Sequence, residues 1–309
     1  MKPLLFCSGS YAYLKTQILS SGSFDDGQVE SKSFPDGERY HRILSETDGR
    51  DAILVGGTID DRETLEIFDL ACALAQGGAI SLTIAIPYFG YSTMERAVKP
   101  GEIVKAKTRA LLFSSVPRTS RGNSVVLMDL HTEGLPHYFE GGIRPVHIYC
   151  KSIIMEAARE LGGNDFVLAS TDAGRAKWVE SLANDMNVPA AFVYKRRLSG
   201  SETQISGINA EVKEKHVIIY DDMIRTGGSL VEAAKAYRSA GASKVSVITT
   251  HGIFAGNAIE KLKSSNVIDK IVSTDTHPNA VTAKSDFISV KTVGKLLSEK
   301  LLKGNSYDH

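Results

Sequence analysis

Cysteine is scarce. The chain of 309 residues carries three, Cys7, Cys72 and Cys150, far apart and without a CxxC pair. That spacing excludes a disulfide framework and a zinc knuckle, and it points to a reducing compartment. Net charge is absent too, with 36 Lys+Arg against 36 Asp+Glu. A neutral chain sets up no steering field toward nucleic acid or an anionic membrane, so neither is expected as a partner. No apolar run is long enough to span a bilayer. The opening stretch MKPLLFCSGS has neither the long apolar segment nor the cleavage site of a secretory signal. A cytoplasmic location is the expectation. What is present is a globular composition, 42% hydrophobic and 23% charged, with length enough for two domains of ordinary size.

Short apolar runs alternate with stretches of helical spacing. AILVGG, SLTIAIP, SVVLMDL, VIIYDD and VSVITTH carry Gly, Pro, Asp or His at or next to their ends, and segments such as SLVEAAKAYRSAGA lie between them. This pattern predicts an α/β fold with doubly wound, mostly parallel sheets. The halves also resemble each other. AILVGGTIDDRETLEIFDL and VIIYDDMIRTGGSLVEAAK both read strand, polar loop, helix, and Leu65 falls opposite Leu230 and Phe89 opposite Phe254 at one offset. Any two βαβ units share some of this likeness. The expectation is two tandem copies related by internal duplication, 1–147 and 148–309, joined near VHIYCKS.

The most informative stretch is VIIYDDMIRTGGSL, residues 217–230. A strand runs into paired acids, Asp221 and Asp222, followed by Arg225, Thr226, Gly227, Gly228 and Ser229 at a helix start. Helix N-termini carry unpaired N–H groups and partial positive charge, and glycine lets a phosphate approach the backbone. The Walker A pattern GxxxxGK[ST] is absent. Carboxylates repel phosphate, so the two acids must serve another part of the ligand; neighbouring sugar hydroxyls suit them. A sugar phosphate satisfies both halves of the motif. The bland alternative is a capped helix with a solvated Asp pair. The first copy has DDRETL where the second has RTGGSL, so only the second is expected to bind phosphate.

This loop resembles the ribose-5-phosphate loop of type I phosphoribosyltransferases. With the duplication, the chain resembles the ribose-phosphate diphosphokinases, the PRPP synthetase family. SFPDGERY (33–40), PYFGY (87–91), MDLHTE (128–133), STDAG (170–174), YKRR (194–197) and VITTHGIF (247–254) match in the family's order. The resemblance implies transfer of the diphosphoryl group of ATP to ribose 5-phosphate, with Mg2+ accompanying the ATP.

The same resemblance assigns the remaining sites. Asp221, Asp222 and the loop 225–229 would hold ribose 5-phosphate. His131 and Asp172 would hold the metal, with His131 also touching ATP. Taken alone, FPDGE is a turn; the resemblance makes Phe34, Asp36 and Glu38 part of an adenine pocket lent by a neighbouring subunit, which implies a homo-oligomer. KRR followed by LSGSETQISG reads alone as a solvated basic patch on a polar loop. The resemblance makes Lys195 and Arg197 catalytic, closing over the phosphates as a lid.

Two departures stand out. Many members carry Arg-Gln where this chain has Thr93 and Met94, which leaves Arg96 in that stretch as the ATP contact. An acid is common at the position of Arg225. The ERxxxxGE stretch, SRG (120–122) and HYF (137–139) are more similar to the plant-type class II branch. Two rivals stand beside the enzyme reading: a catalytically silent regulatory subunit and a phosphoribosyltransferase, whose members resemble only one half of this chain.

Overall fold

The computed structural model describes residues 1–199, 202–208 and 210–303, without the side chains of 173, 194–199 and 202–206. The chain divides into two compact units, Met1–Tyr149 with the C-terminal segment from Val293, and Cys150–Thr292.

In the first unit the order is β1 (Leu4–Cys7), α1 (Ala12–Leu19), β2 (Asp25–Asp26), β3 (Val29–Ser33), β4 (Arg39–Ile43), β5 (Asp51–Val55), α2 (Asp61–Gln76), β6 (Ser81–Ile86), α3 (Lys105–Ser114), β7 (Asn123–Met128) and β8 (Arg144–Ile148). The second unit has α4 (Lys151–Gly162), β9 (Val167–Ser170), α5 (Ala176–Met186), β10 (Ala190–Ser199), β11 (Glu202–Ile208), β12 (His216–Ile224), α6 (Gly228–Ser239), β13 (Lys244–Gly252), α7 (Ala258–Ser264), β14 (Lys270–Thr274), α8 (Pro278–Thr282) and β15 (Ile288–Lys291). A last helix, α9 (Gly294–Leu302), belongs with the first unit, where it packs against α1. The expected boundaries, 1–147 and 148–309, place this segment with the second copy; its packing puts it with the first.

The duplication is written in the strand order. The first sheet runs β2-β1-β5-β6-β7-β8 and the second runs β11-β10-β9-β12-β13-β14-β15. Removing β11 leaves two sheets of the same connectivity, all parallel. Both faces of such a sheet are covered by helices, which is why its strands read as unbroken apolar runs. Leu54, Ile84 and Leu127 anchor the first core, and Ile219, Val247 and Ile271 the second. Phe89 and Phe254 are both buried, whereas Leu65 is 54% exposed and Leu230 only 3%. The likeness between copies therefore holds for the aromatic strand ends and fails on that helix face.

Each copy also carries an antiparallel insertion after its second strand. In the first unit this is the β3–β4 hairpin. In the second it is the β10–β11 ribbon, where a polar loop was expected.

Candidate functional site

In the second unit, β12 delivers the paired acids to the C-terminal edge of the sheet, the usual ligand edge of an open α/β fold. Tyr220 is the last β12 residue in register with β9, opposite Ser170. The chain beyond Ser170 therefore runs beside Asp221 and Asp222. Thr171 donates from Oγ1 to Asp221 Oδ2 at 3.3 Å. Asp222 is 2% exposed and pairs with Arg175 Nη2 at 2.5 Å. Burial pushes the Asp221 carboxyl up, to about 8, and the neighbouring Asp222 adds to the rise. The two carboxyl groups lie side by side, with the Arg175 guanidinium on Asp222.

Asp172 sits in the turn after β9. Its Oδ1 accepts the Gly174 N–H at 2.8 Å, and its carbonyl accepts the Ser170 hydroxyl at 2.6 Å. These two bonds fix the turn that also carries Arg175.

The start of α6 leaves its first N–H groups without a side-chain cap, and no acid lies in its first turn. Gly227 supplies the entry at φ 71, in the left-handed region, and a Cβ there would lie 2.9 Å from Leu262. Only glycine meets both conditions without strain. A Cβ on Gly228 would meet just the Lys261 amine, at 3.2 Å. Arg225, Thr226 and Ser229 are exposed around this start. Cations and hydroxyls collect here at the positive end of a helix, an arrangement suited to an anion.

The corresponding helix start of the first unit is occupied by its own carboxylates. Asp60 caps α2, accepting the Glu63 N–H at 2.8 Å, and Asp61 and Glu63 fill the first turn. Asp61 accepts from the Tyr91 hydroxyl at 2.8 Å and from Arg109 at 2.5 Å. The Tyr91 hydrogen bond, then Arg109, hold the Asp61 carboxyl below its usual range.

The other first-unit candidates lie on two projections and a strand exit. Phe34, Asp36 and Glu38 form the tip of the β3–β4 hairpin; all three are exposed, Phe34 by 48%. The tip is closed by Phe34 N–H donating to the Glu38 carbonyl at 2.8 Å and Glu38 N–H to Asp36 Oδ1 at 3.0 Å. Its base is anchored by Arg39, which pairs with buried Glu66 of α2. Arg96 is exposed beside Glu95 in the loop between β6 and α3. That loop is folded back by Glu102, which accepts from the N–H groups of Val98 and Lys99 at 2.7 and 3.0 Å. His131 lies half-buried past β7, after Asp129 turns the chain at φ 36.

His131 belongs to the first unit and Asp172 to the second. The backbone of Lys195 and Arg197 lies in the ribbon, opposite Ile205 and Thr203, with register shifts on either side. Their side chains lie outside the described residues.

Sequence reasoning missed Arg175 and Thr171, which touch the acids from the neighbouring strand exit. Arg175 stands one residue past the STDAG match, so the motif's edge was the available signal. Lys261 gave none, because α7 is brought to the loop only by the fold.

Comparison with known proteins places this architecture. Residues 4–116 match the N-terminal domain of ribose phosphate pyrophosphokinase, and residues 176–305 match the phosphoribosyl synthetase-associated domain. A ribose-phosphate pyrophosphokinase of Thermococcus kodakarensis is 34% identical over 259 residues, covering 82% of this chain and 88% of that one. One from Fusobacterium nucleatum is 30% identical over 301 residues, covering 96% and 93%. The phosphoribosylpyrophosphate synthetase of Mycobacterium smegmatis superposes with a TM-score of 0.86 at 24% identity, over 97% of this chain and 98% of that one. This last match establishes the shared fold.

Proposed function

The chain belongs to the ribose-phosphate pyrophosphokinase family, and we infer that it transfers the diphosphoryl group of ATP to the 1-hydroxyl of ribose 5-phosphate. The products are 5-phosphoribosyl 1-diphosphate (PRPP) and AMP. One observation supports the second unit as the sugar-phosphate site: an uncapped, glycine-led helix start follows two adjacent carboxyl groups across four intervening residues.

The roles follow from the chemistry of each group. The N–H groups at the start of α6, with Arg225, Thr226 and Ser229, receive the 5-phosphate. Asp221 and Asp222 hold the ribose hydroxyls. Asp222, steadied by Arg175, and Asp221 offer adjacent carboxyl oxygens that accept hydrogen bonds from neighbouring sugar hydroxyls. In the reaction the bond from sugar O1 to the β-phosphorus forms as the bond to the bridging oxygen breaks. The electron pair leaves on AMP, and the hydroxyl proton is lost. Such transfer relies on positioning and charge neutralisation. Lys195 and Arg197 supply positive charge to the transferring group.

Magnesium, arriving with ATP, would be held by Asp172 and His131. Asp172 offers the hard carboxylate oxygen that the ion prefers, in a turn fixed by hydrogen bonds to Gly174 and Ser170. Imidazole is the softer donor, so Asp172 fits better than His131. When bound, the ion neutralises phosphate charge. Phe34, Asp36 and Glu38, with Arg96, contact the nucleotide. The exposed hairpin tip reaches a neighbouring copy, so the working form is a homo-oligomer. The first unit binds no sugar phosphate at α2, where Asp60 already satisfies the helix start. No described helix is long and apolar enough to cross a membrane; the working compartment is the cytoplasm.

The test is incubation with ribose 5-phosphate and Mg-ATP. AMP and PRPP should appear in equal amounts and only with both substrates. AMP without PRPP, or PRPP consumed when a nucleobase is added, contradicts the reading.

A further inference from the structure

Buried hydroxyls in folded proteins almost always have a hydrogen-bond partner. Thr249 does not. It is fully buried in β13, and its Oγ1 is the one buried side-chain polar atom without a partner in the second unit, among the described residues. Its position in the sheet suggests why such a group is retained.

Thr249 is the register partner of Asp221 across the β12–β13 pair. Paired residues present their side chains to the same face of a sheet, and neighbours along a strand alternate. The alternation is visible one residue earlier: the Tyr220 hydroxyl meets Thr250 Oγ1 at 3.2 Å. Asp221 and Thr249 therefore share the face that carries Ile219 and Val247, the face covered by α6. On the other flank of Asp221 is Thr171, whose hydroxyl already donates to Oδ2 at 3.3 Å. Two strands and the exit of a third thus bring a row together, Thr171, Asp221 and Thr249, in which one hydroxyl is bonded to the carboxyl and the other is not.

We propose that Thr249 is a positioning residue: its hydroxyl donates to the Asp221 carboxyl when ribose 5-phosphate is bound. The proposal rests on the assignment of Asp221 to the ribose hydroxyls. A carboxyl held from both flanks presents its remaining lone pairs to the sugar in one orientation, and preorganisation of this kind raises affinity. Thr249 acts through Asp221 and does not touch the substrate.

Valine is nearly isosteric with threonine and lacks only the hydroxyl. If that hydroxyl were merely an unsatisfied group, Thr249→Val would leave binding unchanged. Instead, Thr249→Val should weaken ribose 5-phosphate binding about tenfold by calorimetry. KM for ribose 5-phosphate should rise in step, with kcat and the affinity for Mg-ATP retained. Thr249→Ser, which keeps the hydroxyl, should restore binding to within about twofold of the parent. Unchanged affinity in Thr249→Val overturns the proposal, as does a serine variant as weak as the valine variant, which would assign the loss to packing. The parent is the control on the function itself. A parent that forms no AMP overturns the ribose assignment and this proposal with it; an active parent with an unaffected valine variant overturns this proposal alone.

Discussion

Asp221→Asn should make the protein more stable while weakening its hold on the sugar. In the folded protein the Asp221 carboxyl is raised from its ordinary 3.8 to about 8, first by burial and then by Asp222. Its contribution to stability is fully present below the ordinary value and is lost as pH rises through the folded one. At about 1.4 kcal/mol per pKa unit, the shift caps the loss near ~6 kcal/mol. Asp221 is only half-buried, so water reaches part of the carboxylate, and about 2 kcal/mol is the working expectation. Asparagine keeps the shape and carries no charge to desolvate, so it escapes the loss. The melting temperatures of parent and variant should nearly coincide at the acid end of the range. The variant should melt higher by roughly 4–8 °C at the alkaline end. Scanning calorimetry across that range reads the divergence directly. A constant difference at every pH, or a variant that melts lower at the alkaline end, would refute burial as the origin of the shift. Calorimetric titration of the same variant should show ribose 5-phosphate bound more weakly, because one sugar-facing group has changed.

Three further outcomes are expected. Gly227→Ala forces a side chain into the left-handed region and against Leu262, so urea denaturation should show a loss of about 1–3 kcal/mol. Gly228→Val asks only the Lys261 amine to move, so it should fold normally yet bind ribose 5-phosphate far more weakly; normal affinity would remove the phosphate from that helix start. Lys195→Ala should bind ribose 5-phosphate like the parent but form AMP at least roughly a hundredfold more slowly in single turnover. A near-normal rate would leave Lys195 as a solvated charge.

How much of this was legible in the sequence depended on how local each feature is. The candidate site from Asp221 to Ser229 was readable because one strand, one turn and one helix start supply it in consecutive residues. The duplication was readable because buried parallel strands leave unbroken apolar runs in the same order twice. The groups that flank the two acids were hidden. Arg175, Thr171 and Thr249 come from β9's exit and from β13, and only strand order places them beside the acids. The last helix was grouped with the copy it follows in sequence, yet α9 packs on α1 at the far end of the chain; amphipathic spacing marks a helix without naming the partner of its apolar face. The KRR segment has the Ser and Gly content of a loop, yet it pairs with the residues just after it as a hairpin ribbon, which composition does not reveal.

ATP labelled at its β-phosphorus tests the central claim most directly. With ribose 5-phosphate and magnesium present, the label should pass to PRPP in step with the appearance of AMP. Label recovered in ADP would mean transfer of a single phosphoryl group, and label left wholly in ATP would mean no transfer; either result contradicts the account.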